Sequence, residues 1–136
     1  MAHARPTVAL DRNCDRFILA AGPDSEDRFK HVDDDVRIEL RRRGSRRPVV
    51  LLNDNDGTAN DGGRHIAPIE FNAEYGDVLR IVATNKQAGG CGFDEVQLFC
   101  KGWRRGKKLL DRTVCRPRER DRLDYEFLDE SFRLRP

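Results

Sequence analysis

The sequence predicts an all-β fold, an antiparallel β-sandwich of the jelly-roll type with about eight to ten short strands and little or no helix. Three observations lead there. Apolar residues recur with period two, as where Val36, Ile38 and Leu40 alternate with Arg37, Glu39 and Arg41. Short apolar runs stand between clusters of Gly, Pro, Asn, Asp and Ser, the punctuation of strands and turns. No window of about twelve residues carries the 3.6-residue apolar stripe of an amphipathic helix.

Along the chain, residues 17–20 form a first candidate strand, closed by Gly22-Pro23-Asp24-Ser25. Residues 36–40 alternate and read as a half-buried strand. Gly44-Ser45 supplies a turn, and residues 48–52 return as a continuous apolar run, the pattern of a strand covered on both faces. These two segments make an antiparallel hairpin. A polar loop over 53–63 leads to a strand at 66–71. Tyr75-Gly76-Asp77 then turns the chain into residues 78–83, a second fully buried run. Residues 96–100 alternate again, and 109–115, 123–128 and 132–134 complete the set. Residues 116–122 permit a helix but have no apolar stripe. A single domain over residues 1–136 is the expectation.

Composition narrows the function classes. Lys plus Arg is 26 and Asp plus Glu 24, a formal net charge of +2, with 37% of residues charged. No apolar run approaches the roughly 18 residues of a membrane span, so none is predicted. Of the 26 basic residues 21 are Arg, the side chain suited to bidentate phosphate, sulfate and carboxylate recognition. Four cysteines, Cys14, Cys91, Cys100 and Cys115, contain no Cys-x-x-Cys pair and allow three disulfide connectivities. A local bridge Cys91–Cys100 would leave Cys14–Cys115 to tie the ends together. Two bridges in so small a chain point to an oxidising compartment, extracellular or at the cell surface. The first residues, Met1-Ala-His-Ala-Arg-Pro, carry no apolar signal-peptide core.

The segment richest in oxygen ligands is the loop opening Asn53-Asp54-Asn55-Asp56-Gly57. Calcium takes six to eight oxygens from carboxylates, amides and carbonyls, which such a loop can supply. Asp33, Asp34 and Asp35 directly precede the strand 36–40. In the hairpin, the start of the first strand and the end of the second meet at one edge, crowding these carboxylates with the Asn53–Asp56 group. Like charges so placed are costly unless a cation joins them or solvent screens them at an exposed rim.

The same residues carry a resemblance. Asp33-Asp34-Asp35-Val36-Arg37-Ile38-Glu39-Leu40, followed by Val49-Val50-Leu51-Leu52-Asn53-Asp54-Asn55-Asp56-Gly57, resembles the central hairpin of protective-antigen-type domains, which include calcium-dependent lectins. The stretch from Ile69 to Ile81 is similar to that family's next hairpin. The resemblance implies that Asp33 and Asp34 hold calcium, that Asn85 is a third ligand, and that calcium in turn holds the hydroxyls of a carbohydrate. Asp35 stands where the family has glycine, and Arg41–Arg47 replaces a short Asp-Gly turn.

Two cationic segments form a rival site. Arg41, Arg42, Arg43, Arg46 and Arg47 crowd one hairpin tip, and Trp103 is interleaved with Lys101, Arg104, Arg105, Lys107 and Lys108. Such groups grip phosphates or sulfated glycans, with Trp103 stacking on a base or sugar. Catalytic signatures such as Gly-x-Ser-x-Gly, His-Glu-x-x-His or a P-loop do not occur. The leading expectation is therefore a non-catalytic calcium-binding, carbohydrate-binding or adhesive module. The alternatives are a polyanion binder working through the arginine loops and a structural, self-assembling domain.

Overall fold

The computed structural model describes residues 6–9, 14, 16–21, 35–54, 66–86, 92–93, 96–100, 104–111 and 113–135. They form strands β1 (Thr7–Ala9), β2 (Arg16–Ala21), β3 (Asp35–Arg41), β4 (Pro48–Asp54), β5 (Ile66–Asn72), β6 (Val78–Asn85), β7 (Gly92–Phe93), β8 (Val96–Cys100), β9 (Lys107–Leu110), β10 (Thr113–Val114) and β11 (Tyr125–Arg135). A single 3-10 turn, Pro117–Glu119, falls inside the helix-permissive stretch. The fold is all-β and sandwich-like, as the period-two patterning predicts.

One sheet has the order β1-β11-β6-β3-β4 and the other β5-β2-β8-β9, with β7 and β10 as a separate two-stranded ladder. Neighbours are antiparallel except β1 beside β11. The central strand β6 turns Leu79, Ile81 and Ala83 inward, opposite Leu40, Ile38 and Val36 of β3, and all six are buried. From the second sheet Phe17, Leu19, Val96 and Leu98 meet them in one core. Phe17 lies opposite Phe71 in register, and the two rings stack with centroids 5.6 Å apart.

The β3–β4 hairpin forms as expected, with Arg41 opposite Pro48 and Val36 opposite Asp54. Its second strand departs from the reading of a strand covered on both faces. Among the described residues β4 is a sheet edge, and Val49 and Val50 are 46% and 45% exposed. An apolar run reports strand propensity but not how many neighbours the strand has. Residues 69–81 do not make a hairpin either, because β5 and β6 belong to different sheets and Tyr75-Gly76 turns the corner between them. The expected strand 109–115 is divided between β9 and β10. The two expected strands 123–128 and 132–134 are one, β11, with a bulge between Glu126 and Leu128.

The disulfide also differs from the expected pairing. Cys14 is bonded to Cys100, with Cα atoms 5.6 Å apart, which excludes both Cys91–Cys100 and Cys14–Cys115. The cause is strand pairing: β2 lies beside β8 with Phe17 opposite Cys100, so Cys14, just upstream, arrives at the end of β8. Cys115 is disulfide-bonded as well, and Cys91 lies outside the described residues. Among the described residues no helix is long and apolar enough to cross a membrane.

Candidate functional site

The candidate site grows from one row of the first sheet. Arg41 of β3 and Arg133 of β11 lie in register on either side of Val78 of β6. All three point to the face away from the core, yet Val78 is only 6% exposed. The aliphatic stems of long flanking side chains can cover such a residue while their charged heads stay in water. Beyond this row the chain leaves the sheet through the β3–β4 turn, which carries Arg42 and Arg43, and along β11 to Arg135.

Asp77 holds this end of the sheet together. It is 1% exposed, and its Oδ1 accepts the backbone N–H of Arg43 at 2.8 Å. Its Oδ2 accepts the backbone N–H of Glu74 at 2.9 Å and the Arg42 guanidinium at 3.4 Å. One buried carboxylate thus clips the 74–77 turn to the arginine turn. Gly76 completes the joint with φ 98°, a region costly for residues with a Cβ, and donates its N–H to the carbonyl of Leu134 at 2.7 Å. A Cβ on Gly76 would lie 2.9 Å from Cδ of Arg43, so the bare backbone lets that side chain lie across it.

Between these elements opens a groove of about 700 Å³ lined by Arg41, Arg42, Arg43, Gly44, Ser45, Tyr75, Gly76, Val78, Arg133, Leu134 and Arg135. Five of these residues are arginines and none is acidic. Arg42 is paired with Asp77. Among the described residues no ion pair engages Arg41, Arg43, Arg133 or Arg135. The middle of the same face is balanced by contrast. Arg80 makes a two-point contact with Asp129 at 2.8 and 2.9 Å, and Glu39 accepts from Arg37 at 2.8 Å and Arg80 at 3.5 Å. Unneutralised guanidinium groups therefore gather at one end.

The sequence picks out Arg41, Arg42 and Arg43, which the groove brings together. Arg46 and Arg47 are exposed on the far side of the turn and do not line it. Trp103 lies outside the described residues, so its expected stacking role stands as before. Arg133, Arg135 and Asp77 were missed. The alternation Arg133-Leu134-Arg135 is a signal that two arginines share a strand face, but only topology shows that the face meets the β3–β4 turn.

The opposite end of the sheet holds the acidic candidates. Val36 opposite Asp54 and Arg37 opposite Asn53 bring the start of β3 and the end of β4 together. Asp35 is already 3.9 Å from the Lys86 ammonium, which also donates to Asp124. Asn53 is exposed. Asp33, Asp34, Asn55 and Asp56 lie outside the described residues. Asn85, expected as a ligand, is fully buried, and its amide donates to the carbonyls of Arg120 at 3.2 Å and Arg122 at 2.9 Å. It anchors the 120–124 segment to β6, where Asp124 donates its backbone N–H to the Asn85 carbonyl. Among the described residues no three His, Cys, Asp or Glu side chains are grouped to hold a metal ion.

A smaller hollow of about 500 Å³ near this end is lined by Arg116, Arg118, Arg122, Glu119 and Tyr125, with Cys115 and Phe127. Its charge is partly balanced within the chain. The Tyr125 hydroxyl donates to Glu119, lowering the Glu119 pKa and raising that of Tyr125, and Arg122 stacks 4.5 Å over the Tyr125 ring. Comparison with protein-family models, with curated proteins and with solved structures finds no match to this chain.

Proposed function

We propose that this chain is a non-catalytic binding module whose β-sandwich carries a receptor for a polyanion, a phosphate- or sulfate-bearing polymer, in the arginine groove. One observation carries the reading: Arg41, Arg43, Arg133 and Arg135 surround one open groove with no acidic side chain in its lining and no ion pair among the described residues. Planar guanidinium groups match the paired oxygens of phosphate and sulfate. Asp77 positions the arginine turn from below without offering its charge to the surface. The Cys14–Cys100 disulfide supports an oxidising, extracellular setting.

The test is fluorescence anisotropy with a labelled single-stranded oligonucleotide, repeated in competition with heparin. If the four arginines each neutralise one charge, raising salt from about 50 to 200 mM weakens binding roughly fifty-fold. Changing Arg41, Arg43, Arg133 and Arg135 together to Ser is expected to remove most of that dependence and most of the affinity. Affinity unchanged in this variant sinks the proposal.

A second reading has a specific observation behind it. The register that sets Val36 opposite Asp54 brings the start of β3, at Asp35, and the end of β4, at Asp54, to one end of the hairpin. This supports calcium there, with a carbohydrate as the further ligand that the resemblance implies. Calcium would have to displace Lys86 from Asp35. At a hundred times its dissociation constant it would stabilise the fold by about 2.7 kcal/mol, raising the unfolding midpoint by on the order of 10 °C. No shift relative to EDTA removes this reading.

A further inference from the structure

Among the described residues the sandwich has four edge strands, β1 and β4 in one sheet and β5 and β9 in the other. Folded proteins protect such edges by shortness, by proline within the strand, or by lysine. β1 has only three residues, β5 carries Pro68 as its third residue, and β9 carries Lys107 and Lys108. β4 has none of these three, its one irregularity being a bulge at Leu51 in its pairing with β3. It runs seven residues, Pro48-Val49-Val50-Leu51-Leu52-Asn53-Asp54, with its only proline at the first position and no charge before the last. Val49 and Val50 point to opposite faces, and each is nearly half exposed. Among the described residues no strand pairs with the outer edge of β4.

The charges around β4 name its partner. Arg46 and Arg47 precede it and Asp54 ends it, and among the described residues no ion pair engages either arginine. A strand that is basic at one end, apolar in the middle and acidic at the other complements itself only when the copies run antiparallel. We infer that β4 is a homodimer interface: two copies pair their β4 edges antiparallel across a two-fold axis and extend the first sheet from five strands to ten. An axis near Val50, beside the bulge at Leu51, brings the Arg46–Arg47 end of each copy to the Asp54 end of the other, twice by symmetry. The arginine turn of each copy then lies beside the acidic end of the other. The groove residues Arg41, Arg43, Arg133 and Arg135 take no part, so the inference is independent of the polyanion reading.

Sedimentation equilibrium of the whole chain tests it, with circular dichroism to confirm that each variant folds. The wild type is expected to dimerise. Arg46→Asp with Arg47→Asp sets acid against acid, and Asp54→Arg sets base against base. Each variant alone is expected to raise the dissociation constant by about tenfold or more. Mixed in equal amounts, the two restore opposite charges at both ends and are expected to form a heterodimer. Val50→Lys, at an exposed position on the strand itself, is expected to leave a folded monomer. A wild type that stays monomeric at its highest soluble concentration overturns the inference. So does a dimer that survives these substitutions, or a pair of charge variants that do not rescue one another.

Discussion

At Asp77 a single buried carboxylate accepts two backbone N–H groups, from Glu74 and Arg43, as well as the Arg42 side chain. Asp77→Ala would leave both N–H groups without that acceptor in a site closed to water, a cost of about 2–4 kcal/mol. Urea unfolding is expected to show it as a lower midpoint, and Asp77→Asn, which keeps one carbonyl acceptor, as a smaller loss. The Arg80–Asp129 contact behaves differently because its side chains are 45% and 42% exposed. Arg80 donates to both carboxylate oxygens and holds the Asp129 pKa below its ordinary value. A depressed folded pKa means stability that is present above the unfolded value near 4 and lost as pH falls through the folded one. Asp129→Asn should therefore cost roughly 0.5 kcal/mol at neutral pH and flatten the acid limb of the stability profile. Equal acid sensitivity in wild type and variant would show that the contact contributes nothing.

At the scale of elements, the Cys14–Cys100 bond closes a separation of 86 residues. Loop-closure entropy assigns such a cross-link up to about 4.5 kcal/mol, so Cys14→Ser with Cys100→Ser is expected to lower the unfolding midpoint in guanidinium strongly. Peptide mapping without reduction should recover Cys14 linked to Cys100. With Cys115 also bonded and one cysteine left in the chain, Cys91–Cys115 is the second expected link. The β7–β10 register, Gly92 opposite Val114, runs toward that pair. A peptide joining Cys14 to Cys115 would contradict it. The sequence could not have chosen this pairing, because connectivity depends on which strands are neighbours and periodicity is silent on that. The same limit explains β4 and β11. Strands β3 and β8 were legible because each alternates over at least five residues, and β6 because five of its first six residues are apolar, whereas β1 and β7 are too short to display a period. The β3–β4 hairpin was legible from a glycine turn between two such runs. Asp77 was not, since an aspartate after Tyr75-Gly76 looks like any turn residue until its buried partners are known.

For the whole molecule, the hairpin turns a difference in sequence position into a separation of charge. Arg41–Arg43 and Arg133–Arg135 gather at the Val78 end of β6, while Asp35 and Asp54 lie toward its Asn85 end. Eight residues of strand place those ends about 23 Å apart, more than twice the Debye length of about 8 Å at physiological salt. Charges so far apart across a rigid sheet should act independently. An anion seated on the arginine groove and a cation seated at the acidic end would then neither assist nor exclude one another. Thermal unfolding with inorganic polyphosphate, with calcium, and with each at the other's saturation checks this in conditions where the two do not precipitate. Wherever both ligands stabilise the fold alone, their free-energy increments are expected to add within about 0.5 kcal/mol. A joint effect well short of the sum would mean that the ends communicate, and the β4 edge, which runs from the arginine turn to Asp54, is the element that would connect them. Repeating the measurement with Val50→Lys then separates communication within one copy, which survives the substitution, from communication across paired copies, which does not.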